Sequence, residues 1–344
     1  GWAVENYDWQ MVFWINVPII ALALLLGLFL VPNSMDEQRR PLDPVGALLS
    51  VGGLGSILYA IIEAPTHGWL SNETLGIAAL GAGLMFAFVR WERGVSHPLL
   101  PMGLFKDRGF TIGLIAIMFA FFVMFSFMFT QMLHFQLVRD KTALEAAIRF
   151  LPLPLGLGPV AANSDRIVER FGSRNVVATG LLLVSLGMGL FTTVGIGTAY
   201  PVIGATFLLL GIGMGLTMAP STTLVMEAVP DDKAGVGSAT NDASREVGGA
   251  LGIAIGGSVL NEYYQRSMTI PEGLEHLGTV PLESFPAAMR IGGEMLAGGN
   301  MAGLELIEAA KASFVEGMVA SAMVGGAIAL TTAVVVKLYM PAKD

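Results

Sequence analysis

The sequence predicts an all-α integral membrane protein with about nine transmembrane helices. Of its 344 residues, 54% are hydrophobic and only 13% are charged, whereas soluble chains carry about 25% charged residues. The apolar residues form runs of about 20, the length that crosses the bilayer core as a helix. Because lipid offers no hydrogen bonds, each run must satisfy its own backbone as a helix, and a helical bundle follows.

The first three predicted spans occupy residues 11–31, 44–64 and 75–91. Asn16 and Pro18 interrupt the apolar pattern of the first span, and Asn in lipid usually pairs with a neighbouring helix. Glu63 stands near the end of the second span. A carboxylate there either takes up and releases a proton or faces interfacial water, and the sequence leaves both interpretations open.

The next three predicted spans are 110–135, 144–163 and 175–194. The first of them is rich in Phe and Met, which indicates packing but also suits varied apolar ligands. Gln136 stands just beyond its end. The second is interrupted by Arg149, Pro152, Pro154 and Pro159. So many breaks predict a helix that lines protein or a wet cavity rather than lipid.

The seventh and eighth predicted spans, 201–226 and 235–260, carry glycines at intervals of four. Such glycines stack on one helix face and let two helices approach closely. Pro220 removes a backbone donor, so the seventh span should bend there. The predicted packing and kink residues are Gly211, Gly215, Pro220, Gly248 and Gly252.

Charged and amide side chains crowd the start of the eighth span. Asn241, Asp242, Arg245 and Glu246 lie where a charge is costly, so they indicate a membrane surface or a polar cavity. Asp242 and Arg245 are three apart and can pair on a helix. Arg245 therefore either fixes the helix end or binds an anionic group in a cavity, and we keep both hypotheses.

A long polar segment, residues 261–312, precedes the last predicted span at 314–338. Its pattern predicts amphipathic helices at 284–296 and 301–312. Lys and Arg concentrate on one side of the predicted membrane, including Arg39, Arg40 and Lys343. The positive-inside rule makes that side cytoplasmic, which places the carboxy terminus inside and Gly1 outside.

Several classes of function find no support in the sequence. There is no cysteine, the four histidines are widely separated, and no His-Glu-x-x-His motif occurs. These observations argue against a thiol or metal centre. No convergent nucleophile and base indicate an intramembrane enzyme, and no basic patch indicates nucleic acid. The prediction is a protein that is not an enzyme and uses no cofactor or metal.

Specific stretches of the chain resemble the major facilitator superfamily and, within it, the fourteen-span drug:proton antiporters. The stretch WQMVFWINVPI, which contains Asn16, is similar to the sixth span of those exporters. The turn at residues 65–69 and the run HPLLPMGLF resemble their extra helix pair and its link to the second bundle. The glycine-rich span ending at Pro220, followed by Asn241, Arg245 and Gly248, resembles a later pair of spans.

The resemblance implies that the chain holds the sixth to fourteenth spans of a longer protein, with Gly1 as an internal position. It implies five segments: the last span of the amino-terminal bundle (1–32), an extra helix pair with basic cytoplasmic loops (33–109), five spans of the carboxy-terminal bundle (110–260), an external loop (261–313) and the last span with its tail (314–344).

The implied function is proton-coupled export of amphipathic organic compounds across a bacterial inner membrane by alternating access. The proton gradient would supply the energy, and the partners would be small organic substrates, the bilayer and the missing amino-terminal bundle. Glu63 is the proton-coupling candidate, Gln136, Asn241 and Arg245 are cavity or gate candidates, and Asp165, Arg166 and Arg174 resemble the cytoplasmic latch of the superfamily. A membrane scaffold or receptor with this fold, or an inactive fragment, is the alternative.

Overall fold

The computed structural model describes residues 2, 6–7, 10–30, 43–230 and 233–342. Gly1, Arg39, Arg40 and Lys343, which entered the topology prediction, lie outside the described residues. Within the described part every regular element is helical. The first helices are α1 (Met11–Leu30), α2 (Pro44–His67), α3 (Asn72–Glu92), α4 (Arg108–Leu133), α5 (Ala143–Arg149), α6 (Pro152–Ala162) and α7 (Ser164–Phe171). The later ones are α8 (Ser173–Phe191), α9 (Tyr200–Glu227), α10 (Ala234–Ser267), α11 (Val280–Glu283), α12 (Phe285–Ala297) and α13 (Ala302–Tyr339).

Eight segments of the described residues are long and apolar enough to cross a membrane. They confirm an all-helical membrane bundle. The eighth predicted span differs from the rest: it forms the 34-residue helix α10 but is not among the eight. Its first half carries Asp242, Arg245 and Glu246, and seven glycines are spread along the helix. The predicted helix is therefore present, but its charged residues and glycines make it less apolar than the eight segments.

Several long helices begin at side chains that cap the first turn. These residues accept a hydrogen bond from a free backbone N–H: Asp43 from Gly46 (2.8 Å), Ser71 from Thr74 (3.2 Å) and Asp107 from Phe110 (2.8 Å). An acceptor at this position pairs one of the four N–H groups that a helix start leaves without a partner. These capping side chains therefore mark where α2, α3 and α4 begin.

The span predicted to be broken consists of two helices. α5 ends at Arg149, and α6 begins at Pro152. Proline suits the first turn of a helix because its missing N–H has no partner there in any case. α6 packs on α9 through Leu153 and Gly156, while Leu155 on its other side is exposed in this chain.

The core lies among α4, α8, α9 and α13, around a cluster of aromatic rings. The ring of Phe127 on α4 lies 4.9 Å from that of Phe191 and 5.1 Å from that of Phe207, measured between centroids. All three side chains are buried. Edge-on and tilted aromatic contacts of this kind stabilise beyond the area they bury.

The α2–α3 hairpin packs beside this bundle, against α10. The indole Nε1 of Trp69, in the turn between α2 and α3, donates a hydrogen bond to Ser258 Oγ on α10 (3.0 Å). α1 buries none of its residues against the rest of the described chain.

The segment before the last span differs in part from its prediction. The expected amphipathic helix at 284–296 corresponds to α12. The one expected at 301–312 is not separate, because α13 runs without interruption through 38 residues. No glycine or proline breaks the sequence at 312–314, so the helix extends past the predicted start of the span at 314. The hydroxyl of Tyr264 on α10 donates a hydrogen bond to Pro281 O in α11 (2.7 Å), which holds these two helices together.

Candidate functional site

Glycines bring α10 into backbone contact with α4. A Cβ added at Gly248 would collide with the carbonyl oxygen of Met118, and one at Gly252 with that of Phe122. The two glycines are one turn apart and share one face of α10. This contact sets the spacing of both helices and therefore the position of every other side chain on α10.

A cavity of about 640 Å³ lies on another face of α10, between that helix, α4 and α2. Phe125 and Phe129 of α4 form part of one wall, with Leu58 and Ile62 of α2 opposite. Glu246 is the one acidic side chain among the lining residues. The volume and the aromatic walls suit a small organic ligand. Further lining residues are Pro65, Leu133, Leu137, Gly249, Ala250, Ile253, Ala254, Gly257, Leu260, Asn261, Tyr264, Ser284, Phe285, Pro286 and Phe314.

Arg245 joins three helices. Its guanidinium donates to Thr222 Oγ1 on α9 (3.3 Å), lies 3.5 Å from Asp242 Oδ1 and sits 5.5 Å from the ring centroid of Phe121 on α4. The side chain is 31% exposed, and its Nε is buried without a hydrogen-bond partner. Arg245 thus braces the helix interface and keeps one donor free for a further polar group.

Asn241 lies one turn before Arg245 on α10 and is 4% exposed. Its Oδ1 has no hydrogen-bond partner, and neither does the hydroxyl of fully buried Ser221 on α9. Buried polar atoms without partners are rare in native structures and need a physical reason. Asn241, Ser221 and Arg245 therefore each keep one buried polar atom that a water molecule or a polar ligand group could satisfy.

Glu63 lies outside the cavity lining. Its Oε2 is 3.3 Å from Nδ1 of His67, one turn later on α2, and both side chains are more than one third exposed. Ile62 and Pro65 beside it do line the cavity. Glu63 is thus near the cavity in sequence and structure, but its carboxylate faces a neighbouring imidazole.

Gln136 also lies outside the cavity lining, in the π-helical turn His134–Val138 that follows α4. Its amide contacts Met132 Sδ (2.9 Å). Gln131, five residues earlier, is fully buried, and its Oε1 lies 3.3 Å from Nδ1 of buried His134. Sequence reasoning did not select Gln131 and His134 as a pair, although their spacing of three places them on one helix face.

The three latch candidates occupy a short amphipathic helix and the start of α8. Asp165 and Arg166 are exposed on α7, and they form no ion pair among the described residues. Arg174 donates from Nε to Met340 O, just after α13 (2.8 Å). The structure therefore brings Arg174 to the end of the last helix and does not join it to the other two.

The remaining glycines of interest pack α9 against α6. A Cβ at Gly211 would collide with Leu153 O, and one at Gly215 would lie 2.9 Å from Leu157 O. Pro220 is buried inside the continuous helix α9. The broken span therefore lies directly against the glycine-rich one.

Glu246 is a cavity residue that sequence reasoning grouped with the helix-end charges. The spacing of the residues that follow Glu246 could have identified it. Residues 246, 249, 250, 253 and 257 follow the pattern i, i+3, i+4, i+7 and i+11, which places them on one face of α10. No group of three or more His, Cys, Asp or Glu residues in the described part of the chain is arranged to hold a metal ion.

Comparison with known proteins agrees with this architecture. The sequence model of the family described as Major Facilitator Superfamily matches residues 1–253. The chain is 32% identical to multidrug resistance protein Stp of Mycobacterium tuberculosis, over 82% of this chain and 52% of that protein. It is 29% identical to multidrug efflux pump LfrA of Mycolicibacterium smegmatis, over 98% of this chain and 66% of that protein.

A third similar protein is the tetracenomycin C resistance and export protein of Streptomyces glaucescens, with 27% identity over 97% of this chain and 63% of that protein. The chain thus spans about half to two thirds of the length of the curated relatives it matches.

Proposed function

Because this chain belongs to the major facilitator superfamily, a family of transporters, we propose that it forms part of a proton-coupled exporter of amphipathic organic compounds. The names of its relatives support drug export: one is a multidrug resistance protein, one a multidrug efflux pump and one a tetracenomycin C resistance and export protein. In this proposal the chain supplies the sixth to fourteenth spans of a fourteen-span antiporter in the bacterial inner membrane.

The cavity between α2, α4 and α10 is the observation that carries the proposal. Its walls are mainly aromatic and aliphatic, and one carboxylate, that of Glu246, reaches them. Apolar surfaces bind varied hydrophobic compounds without selecting one shape, as a multidrug exporter must. The substrate approaches through this cavity and exits as the two bundles rock about it.

Polar residues divide the remaining tasks in the proposal. Glu63, paired with His67, takes up and releases the coupling proton, while Gln136, Asn241 and Arg245 act at the cavity or its gate. Asp165, Arg166 and Arg174 form the cytoplasmic latch. Arg174 supports this role through its bond to Met340 O, since that contact joins α8 to the end of α13.

The test uses the full-length protein in inside-out vesicles energised by respiration. Ethidium should accumulate in these vesicles, its addition should release protons from them, and a protonophore should abolish the accumulation. Accumulation that survives the protonophore would contradict proton coupling. Absence of accumulation for ethidium and for neutral and anionic amphipathic dyes would favour a scaffold or receptor.

Glu63→Gln tests the coupling residue in the same vesicles. It should abolish proton release on ethidium addition, because glutamine cannot carry the proton. Glu73→Gln is the matched control, since Glu73 is an exposed acid in the first turn of α3. Unchanged coupling in Glu63→Gln would end the assignment of the proton to Glu63.

A further inference from the structure

Two buried carboxyl groups converge where the α2–α3 hairpin meets the segment that leads into α4. Asp43 precedes α2 and is 8% exposed, and Glu92 ends α3 and is 3% exposed. A Cβ built on Gly46 would lie 2.6 Å from Asp43 Oδ2 and 2.6 Å from Glu92 Oε1. The two oxygens therefore border the same small space, which the glycine leaves free.

Hydrogen bonds account for every carboxyl oxygen of this pair except one. Asp43 Oδ1 accepts from the N–H of Gly46 (2.8 Å), and its Oδ2 accepts from the indole of Trp91 (2.9 Å). Glu92 Oε2 accepts from the N–H of Leu100 (3.0 Å). Glu92 Oε1 is buried and has no partner. An ionised carboxylate would leave that oxygen both charged and unsolvated, which is strongly unfavourable.

No cation among the described residues offsets the two carboxylates. Arg90 in the last turn of α3 forms no ion pair with either group, and neither do Arg93 and His97 in the segment that follows α3. From α10, the residues that face this end of the hairpin are uncharged, among them Gly235, Val236, Ala239, Thr240 and Ala243. Two adjacent negative charges would thus repel each other in a poorly solvated place.

We propose that Asp43 and Glu92 share one proton, with Glu92 protonated at Oε1 and Asp43 ionised. The proton makes Oε1 a donor into the space that it shares with Asp43 Oδ2, which removes both the like-charge repulsion and the unpaired acceptor. A divalent cation fits less well, because it requires about six oxygen ligands and N–H donors occupy the other positions around this pair.

The shared proton connects three segments of the chain. Asp43 belongs to the start of α2, Glu92 to the end of α3, and Leu100 to the segment entering α4. Loss of the proton would place two negative charges side by side and weaken the contact between these three segments. The pair is therefore a proton-binding site in the linker hairpin, separate from Glu63 at the other end of α2.

Infrared spectroscopy of the full-length protein in detergent tests the site without requiring transport. At neutral pH the wild type should show a protonated carboxyl C=O band that shifts in heavy water. Glu92→Gln should lose one such band and retain its helical circular dichroism, because the amide oxygen still accepts from Leu100. Glu73→Gln, the exposed acid on the same helix, should keep the band.

Asp43→Asn supplies a second variant should Glu92→Gln fail to fold. Removing the neighbouring negative charge should let Glu92 ionise, so the band should weaken at the same pH. The proposal is overturned if wild type and Glu92→Gln have identical carboxyl bands, or if Asp43→Asn leaves the band unchanged. Loss of efflux in the transport assay leaves these spectra unaffected, so the two proposals fail separately.

Discussion

Arg245 shows how one charged residue is accommodated inside a membrane bundle. Its head group contacts α9 through Thr222 and α4 through Phe121, and Asp242 lies on its own helix. Each contact offsets part of the cost of removing the guanidinium from water. Nη2 joins two helices through Thr222, and Nη1 lies beside Asp242 on the same helix. Nε is buried and has no partner, and Arg245 is not among the residues that line the cavity.

A double-mutant cycle between Arg245 and Thr222 should detect this bracing. Arg245→Lys removes the guanidinium group, and Thr222→Val replaces the hydroxyl that accepts its hydrogen bond with a methyl group at nearly constant volume. The two changes should be coupled by about 1 kcal/mol, measured as the thermal stability of the full-length protein in detergent. Thr223→Val is the matched control, because Thr223 bonds only within its own helix. Equal coupling of Thr222 and Thr223 to Arg245 would refute the contact.

At the scale of elements, the α4–α10 pair forms the wall on which the cavity depends. Gly248 and Gly252 let the two backbones touch, and this contact holds Phe125 of α4 and Gly249 of α10 at the cavity. Small residues at a membrane helix interface allow close van der Waals packing, which is the main attraction between helices in lipid.

Gly252→Ala should separate these helices. The new Cβ would collide with Phe122 O, a backbone atom that a side-chain rotation cannot move. Overpacking of this kind costs about 1–3 kcal/mol, so thermal stability and ethidium efflux should both fall. Gly235→Ala is the matched control on the same helix, since no neighbouring atom lies within 4 Å of its Cβ position and it lies outside the cavity lining. Similar losses in both variants would show that the contact with Phe122 is not responsible, because helix propensity alone favours alanine over glycine.

At the scale of the whole molecule, the α2–α3 hairpin is attached to the bundle at one end and to the segment that enters α4 at the other. Trp69 bonds to Ser258 at one end, and Glu92 bonds to Leu100 at the other. The hairpin thereby closes one side of the cavity with Leu58 and Ile62. A helix pair outside the core bundle thus contributes directly to the candidate binding site.

Cysteine labelling should establish which side of the membrane each loop occupies. The chain contains no cysteine, so single substitutions add one reactive group to this region. Glu169→Cys on α7 should react with a membrane-impermeant maleimide only in inside-out vesicles, because the proposed topology places Arg166 and Arg170 on the cytoplasmic side. Glu294→Cys on α12 should react only in intact cells. The reverse pattern would invert the proposed topology.

Helix positions were largely predictable for two reasons. A helix that crosses the bilayer needs an apolar run of about 20 residues. Within such a run a helix pairs the backbone N–H and C=O groups that lipid cannot pair. The predicted span at 110–135 corresponds to α4, and the proline-rich span is broken next to Pro152. The predicted break between the helix at 301–312 and the span at 314–338 is wrong, because the change from polar to apolar residues there does not end the helix α13.

The candidate site was predictable only in part. The glycine spacing indicated a packed face on α10, but it did not identify α4 as the partner. Glu246 and the α2 side chains meet across a cavity although they are nearly 200 residues apart in the chain. Glu63 and Gln136 were selected as polar residues near apolar runs, and neither lines that cavity.

The sequence by itself determined the membrane environment, the helical class and the approximate limits of most spans, because these depend on composition and local spacing. Tertiary structure alone decided that Arg245 reaches Thr222, that Glu246 faces an apolar cavity and that Asp43 meets Glu92 beside Gly46. Such contacts depend on which helix faces which, and lipid-exposed and buried faces are almost equally apolar in a membrane protein. Periodicity therefore locates a helix without identifying its neighbours.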